Sequence, residues 1–294
     1  MTNSSYNKPL LPEKIFSALP EDIYRNLCFH LDAMITYEPV IGLMGKTGVG
    51  KSSLCNTLFN PPPAKVDAVM GCSRRVERYK VIHGSHTLHI ADFPGIAETP
   101  DLDTLYQQLY LSWSSKLDLI VWVLKADERA WKDDIRSYHE LTEAGADPQC
   151  FLFVISQADK MEPCREWDTV NHQPSPRQLE NLQAKSALAS TLFATVHPVI
   201  AVSAVENYNL HLWVEALILA LPSRCQSAVS RHLNSVLRTE NVKGKARESF
   251  VQVTGEIFDD AISSIQTSGV LIVQLRRLRS RLLSVVRAVW HLLF

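Results

Sequence analysis

The chain has 294 residues, 46% of them hydrophobic and 21% charged, with a formal net charge of -1. That length holds two domains, or one large domain with an appendage, and the composition excludes wholesale disorder, collagen-like repeats and a coiled-coil rod. The near-neutral total gives no global pull toward nucleic acid or acidic lipid, but it conceals two unlike parts: the stretch from Cys225 to Phe294 carries +5, which leaves -6 for residues 1–224.

The cysteines show no CxxC spacing, so neither a zinc site nor a disulfide framework is expected, and a cytoplasmic, reducing setting fits. The opening MTNSSYNKPLLPEKIF has no apolar core of signal-peptide length, and no stretch of 18 apolar residues occurs. Secretion and membrane spanning are therefore not expected.

Along the chain, Leu19-Pro20-Glu21-Asp22 opens a predicted helix with Ile23, Leu27 and Leu31 at helical spacing. Pro39 to Met44 reads as a buried strand ending in a glycine loop, and Ser52 to Phe59 as a helix. Arg75 to Ile82 and Thr87 to Phe93 flank His83-Gly84-Ser85 as a hairpin. Helix and strand then alternate: a helix near Leu102 to Trp113, strand Leu117 to Leu124, helix Trp131 to Glu143, strand Phe151 to Ser156. After the polar loop Pro163 to Pro176 come helix Arg177 to Phe193, strand Pro198 to Val202 and helix Leu210 to Leu221. This alternation predicts an α/β fold: a mainly parallel sheet with one antiparallel edge strand and helices on both faces. Past Pro222 only helical periodicity remains. Three parts follow: a helical segment at 1–36, an α/β domain at 37–222 and a helical C-terminal extension at 223–294.

Gly45-Lys46-Thr47-Gly48-Val49-Gly50-Lys51-Ser52 fits GxxxxGK(S/T) between a strand and a helix, the setting a phosphate-binding loop requires. Glycines let successive N–H groups turn inward around phosphate oxygens, and the helix N-terminus at Ser52 and Ser53 adds partial positive charge. Lys51 is the candidate catalytic cation for the β- and γ-phosphates, and Ser52 the candidate Mg²⁺ ligand. The bland alternative is a flexible glycine turn. Asp92-Phe93-Pro94-Gly95 closes the second hairpin strand, where Asp92 can hold Mg²⁺ through a water and the Gly95 N–H can sense a γ-phosphate. The alternative here is a strand-ending turn.

Ser156-Gln157-Ala158-Asp159 and Ser203-Ala204 each follow a predicted strand. With them, the order of motifs resembles the translation-factor class of P-loop GTPases, in the Era/TrmE-like group. The stretches GKTGVGKSSLCNTLF and SQADK look closer still to the prophage-borne YfjP/YkfA-type GTPases. The resemblance covers residues 39–221 and implies a Ras-like P-loop GTPase domain. It makes Asp159 the reader of guanine N1–H and N2–H₂, and Ser203-Ala204 the loop whose N–H groups meet guanine O6.

Departures qualify it. Ser156 stands for the usual Asn or Thr, and Gln157 for the lysine whose stem packs along the base and phosphate loop, so reduced nucleotide affinity is expected. No threonine lies between Asn60 and His86. Ser73, where related sequences show threonine, is either the switch ligand of Mg²⁺ or a solvated loop serine. Ile96 follows Gly95 where Ras-like GTPases place the glutamine that orients water. Gly48 replaces the asparagine of potassium-activated members, so potassium dependence is not expected. Arg74 and Arg75 are the nearby basic residues that could supply charge.

In the extension, Leu271, Leu275, Leu278, Leu282, Val286, Val289 and Leu293 form an apolar stripe beside five arginines. It has three readings: burial against its own domain, with the acidic excess of residues 1–224 as cover; a partner or RNA surface; or an anionic membrane surface. Residues and resemblance together imply a GTP/GDP-binding switch with Mg²⁺ and slow GTP hydrolysis, in ribosome- or tRNA-related processes. Its expected partners are an effector or activator protein, RNA or an anionic membrane met by the basic helix, and a second copy in a homodimer. The competing classes are a nucleotide-binding interaction module with negligible hydrolysis and a P-loop kinase, which would need an arginine-bearing lid.

Overall fold

The computed structural model describes residues 19–65, 76–95, 108–263 and 269–294. Its strands are β1 (Val40–Met44), β2 (Ala64–Lys65), β3 (Glu77–His83), β4 (His86–Asp92), β5 (Leu119–Lys125), β6 (Phe151–Ser156) and β7 (Ile200–Ala201). They form one sheet in the order β2-β3-β4-β1-β5-β6-β7. β4, β1, β5, β6 and β7 run parallel, while β3 is antiparallel to β4. The antiparallel strand is not itself the edge, because the two-residue β2 pairs outside it through Ala64–Lys80 and Lys65–Tyr79.

Local chemistry accounts for these elements. The runs LIVWVLK of β5 and FLFVIS of β6 are buried almost throughout, as strands covered on both faces must be. The β3–β4 hairpin turns on Gly84 at φ +60, closed by the His83–His86 pair. Among the helices, α1 (Glu21–Ile35) carries Glu21 and Asp22 in its first turn and buries Ile23, Leu27 and Leu31. Next come α2 (Lys51–Leu58), a helical stretch at 108–114, and α3 (Lys132–Glu143). α4 (Pro176–Leu192) starts on a reciprocal cap: the Gln178 amide N–H donates to Ser175 Oγ and the Ser175 N–H to Gln178 Oε1.

Two cores result. On one face Trp122, Tyr138, Phe151, Phe153 and Phe193 form an aromatic cluster under α3 and α4, with Phe153 and Phe193 centroids 4.5 Å apart. On the other face α1, α2 and α5 (Leu210–Ala220) share one continuous core with α6 (Ser223–Ser230), α7 (Glu240–Ser263) and α8 (Gly269–Leu293). The helices past Pro222 thus use the same apolar interior as the sheet. Asp118 ties the layers at the N-terminal edge of the strands, accepting from Tyr37 Oη at 2.7 Å, the Val40 N–H at 2.9 Å and Cys225 Sγ at 3.3 Å.

On α8, Leu275, Leu282, Val286 and Trp290 turn into this core. For two of its arginines, Arg279 and Arg287, the acidic cover does not come from residues 1–224. Arg279 Nε donates to Asp259 Oδ1 at 2.8 Å and Arg287 pairs bidentately with Glu248, both on α7. The net-charge argument fails because ion pairing follows the nearest helix rather than the regional total. Among the described residues, no helix is long and apolar enough to cross a membrane.

A core role for α8 predicts that Leu282→Ala costs about 2–5 kcal/mol, whereas Arg281→Ala on the exposed face stays within about 0.5 kcal/mol. Urea unfolding of the two variants measures this; equal, small losses would contradict a shared core.

Candidate functional site

β1 has β4 on one side and β5 on the other, so the chain's crossovers diverge there and a crevice opens beyond the C-terminal strand ends. Loop 45–50 leaves β1 at this point. Gly45 has φ +129, and a Cβ on it would lie 2.3 Å from the Val123 carbonyl oxygen of β5, so only glycine lets the loop rest on the sheet. Lys51 curls back, its Nζ donating to the carbonyls of Gly45 at 3.2 Å and Lys46 at 3.3 Å. The loop borders a cleft of about 610 Å³ lined by Thr47, Gly48, Gly50, Lys51, Ser52 and Ser53, together with Asp92, Gln157, Asp159, Ser203 and Ala204.

Other candidate residues of the loop lie off the cleft. Val49 is buried, with its carbonyl 2.5 Å from Ser156 Oγ. Lys46 turns its side chain away, donating to Glu128, with Asp134 Oδ2 at 3.5 Å, so only its backbone belongs to the loop. Gly95 lies against the loop: a Cβ there would meet Thr47 Oγ1 at 2.2 Å and Thr47 N at 2.6 Å.

Asp92 ends β4 opposite Leu43 of β1. Burial pushes its carboxyl up to about 6, with the Lys51 ammonium opposing the shift and Glu77 adding to it. Its Oδ1 is buried with no hydrogen-bond partner among the described residues. An unpartnered carboxylate oxygen in a cleft that Ser52 also lines offers oxygen donors of the kind a hard cation takes, so the residues present fit Mg²⁺.

The other end is built by loops after β6 and β7. Ser203 Oγ donates to Asp159 Oδ1 at 2.6 Å and accepts from the Glu206 N–H at 3.2 Å, fixing the carboxylate in the cleft. The two departures from the motif both reach the phosphate loop. The Ser156 hydroxyl is shared between the carbonyls of Val49 and Leu124, the latter at 3.0 Å, and Gln157 Nε2 donates to the Gly48 carbonyl at 3.1 Å. Ser73, Arg74, Arg75 and Ile96 lie outside the described residues, and the side chain of Leu271 is likewise not described.

Lys125, Lys160 and Val205 also line the cleft, and motif reading did not single them out. Two had a local signal: Lys125 is the charge that closes an apolar parallel strand, and Lys160 directly follows Asp159.

Residues 40–157 match the family described as "50S ribosome-binding GTPase". The chain is 36% identical to the uncharacterized protein YfjP of Escherichia coli (strain K12) over 294 residues, covering 100% of both chains. It is also 36% identical to YkfA of the same organism over 276 residues, 94% of each. A crystal structure of an Aquifex aeolicus Era variant bound to GDP.AlF4- aligns with a TM-score of 0.44 at 19% identity, covering 62% of this chain and 56% of that one.

Asp92 gives a stability test independent of ligand. Its folded value lies above the ordinary 3.8, so the ionised carboxylate costs stability. That cost is absent below about 4 and complete above about 6. Asp92→Asn is therefore expected to stabilise the ligand-free protein by about 1–3 kcal/mol at pH 7.5, the gain shrinking as pH falls through 6. Urea titrations at pH 7.5 and 5 check it, and a variant less stable at both values would contradict the burial argument.

Proposed function

The chain belongs to the YfjP/YkfA family of P-loop GTPases, and from that premise we propose that it binds GTP and GDP in this cleft, hydrolyses GTP slowly and acts as a nucleotide-controlled switch. In this reading the GTPase domain spans 37–222, and the flanking helical segments carry the output.

The observation that carries the proposal is the pairing of a phosphate end with a base end on one sheet edge. Lys51 follows β1 and Asp92 ends β4, while Asp159, held by Ser203, follows β6. Backbone N–H groups of 48–52 would receive the β-phosphate, with Lys51 neutralising β- and γ-oxygens. Ser52 and Asp92 would hold Mg²⁺, which when bound would neutralise phosphate charge. Asp159 would accept from guanine N1–H and N2–H₂, and the Ala204 N–H would meet O6. Hydrolysis is attack of a water oxygen on the γ-phosphorus, breaking its bond to the β–γ bridging oxygen and releasing GDP and phosphate. Gly95 would contact the γ-phosphate through its N–H. Ile96 offers no polar group to orient that water, so an activator or a second copy would complete the site. The family's description as ribosome-binding makes the ribosome the first effector to test.

Isothermal titration tests the reading. GTP and GDP should bind far more tightly than ATP, and Asp159→Asn should weaken GTP by about 1.5–3 kcal/mol while admitting xanthosine nucleotide. Basal turnover should fall on the order of 10⁻⁴ to 10⁻² s⁻¹. ATP binding as tight as GTP, or turnover above about 1 s⁻¹ without a partner, would contradict it.

A further inference from the structure

Gln157 occupies the place where the resemblance expects a lysine, yet its side chain is firmly held. It adopts φ +56, and its amide bridges two groups of fixed character. Nε2 donates to the Gly48 carbonyl at 3.1 Å, and Lys160 Nζ donates to Oε1 at 2.8 Å. A carbonyl only accepts and an ammonium only donates, so the two partners together dictate which end of the amide faces the phosphate loop. Lys160 sits one 3₁₀ turn beyond Gln157, its N–H bonded to the Gln157 carbonyl at 2.9 Å, and its side chain lines the cleft beside Asp159.

We propose that Lys160 is a positioning residue for the nucleotide: it locks the Gln157 amide across the phosphate loop and returns to the cleft the positive charge that a lysine at position 157 would carry. The ammonium on Oε1 polarises the amide, which strengthens the Nε2–H bond to Gly48 and holds the loop carbonyl turned outward. A neutral residue at 157 thus works as an extension arm for a cation three residues later. This inference rests on the cleft taking guanine nucleotide.

The test is a double-mutant cycle on GDP affinity and dissociation rate, using a fluorescent GDP analogue with wild type, Lys160→Ala, Lys160→Arg, Gln157→Lys and the Gln157→Lys/Lys160→Ala pair. Lys160→Ala should weaken GDP about three- to tenfold, mainly through faster dissociation, because an exposed charge-assisted bond is lost. Lys160→Arg should stay close to wild type. In the Gln157→Lys background, removing Lys160 should cost little, since position 157 then carries its own ammonium. Lys160→Ala binding as tightly as wild type would overturn the proposal. So would an equal loss in both backgrounds, which would mean that Lys160 acts without Gln157. Wild type failing to bind guanine nucleotide at all would instead overturn the parent reading, and this one with it.

Discussion

A loop that offers its backbone N–H groups to an anion must find other partners for its carbonyls. Loop 45–50 finds them in side chains from elsewhere in the fold. Lys51 takes the carbonyls of Gly45 and Lys46, Gln157 takes that of Gly48, and Ser156 lies on that of Val49. These bonds fix the loop against two neighbours: its own helix and the end of β6. Gly45 makes the arrangement sterically feasible by leaving space for the Val123 carbonyl.

The same loop is joined to the C-terminal helices through α2. That helix begins at Lys51 and buries Leu54, Cys55 and Leu58 in the core shared with α6, α7 and α8. Its far end is sewn to the chain after α6 by a backbone bridge between Phe59 and Leu233 and by the Asn234 N–H on the Leu58 carbonyl at 2.7 Å. The loop after β1 and the C-terminal helices are thus connected through one short helix. Burial works against Asp92 in the same region, since among the described residues no hydrogen bond reaches its Oδ1.

Much of this was legible in the sequence where the signal is local. The apolar strands, the glycine loop before α2 and the Gly84 turn each follow from residues a few positions apart. Long-range geometry was not legible. Nothing near Lys46 announces that its ammonium joins Glu128, 82 positions later. Regional charge pointed to the wrong acids for Arg279 and Arg287, whose partners lie on the adjacent helix α7. Nor do the motif letters announce that the Ser156 and Gln157 side chains reach loop carbonyls across more than 100 residues of sequence. Strand length was likewise hidden: β7 has two residues, set by pairing with β6 rather than by its own pattern.

The central claim is that one loop, oriented by Lys51, Ser156 and Gln157, cradles the phosphates of a guanine nucleotide. A crystal structure of the protein with GDP and Mg²⁺ tests it most directly. The account predicts the β-phosphate within hydrogen-bond distance of the backbone N–H groups of 48–52, the guanine edge on Asp159, and both carbonyl contacts from Ser156 and Gln157 kept. Phosphates bound away from this loop, or a base that does not touch Asp159, would contradict it.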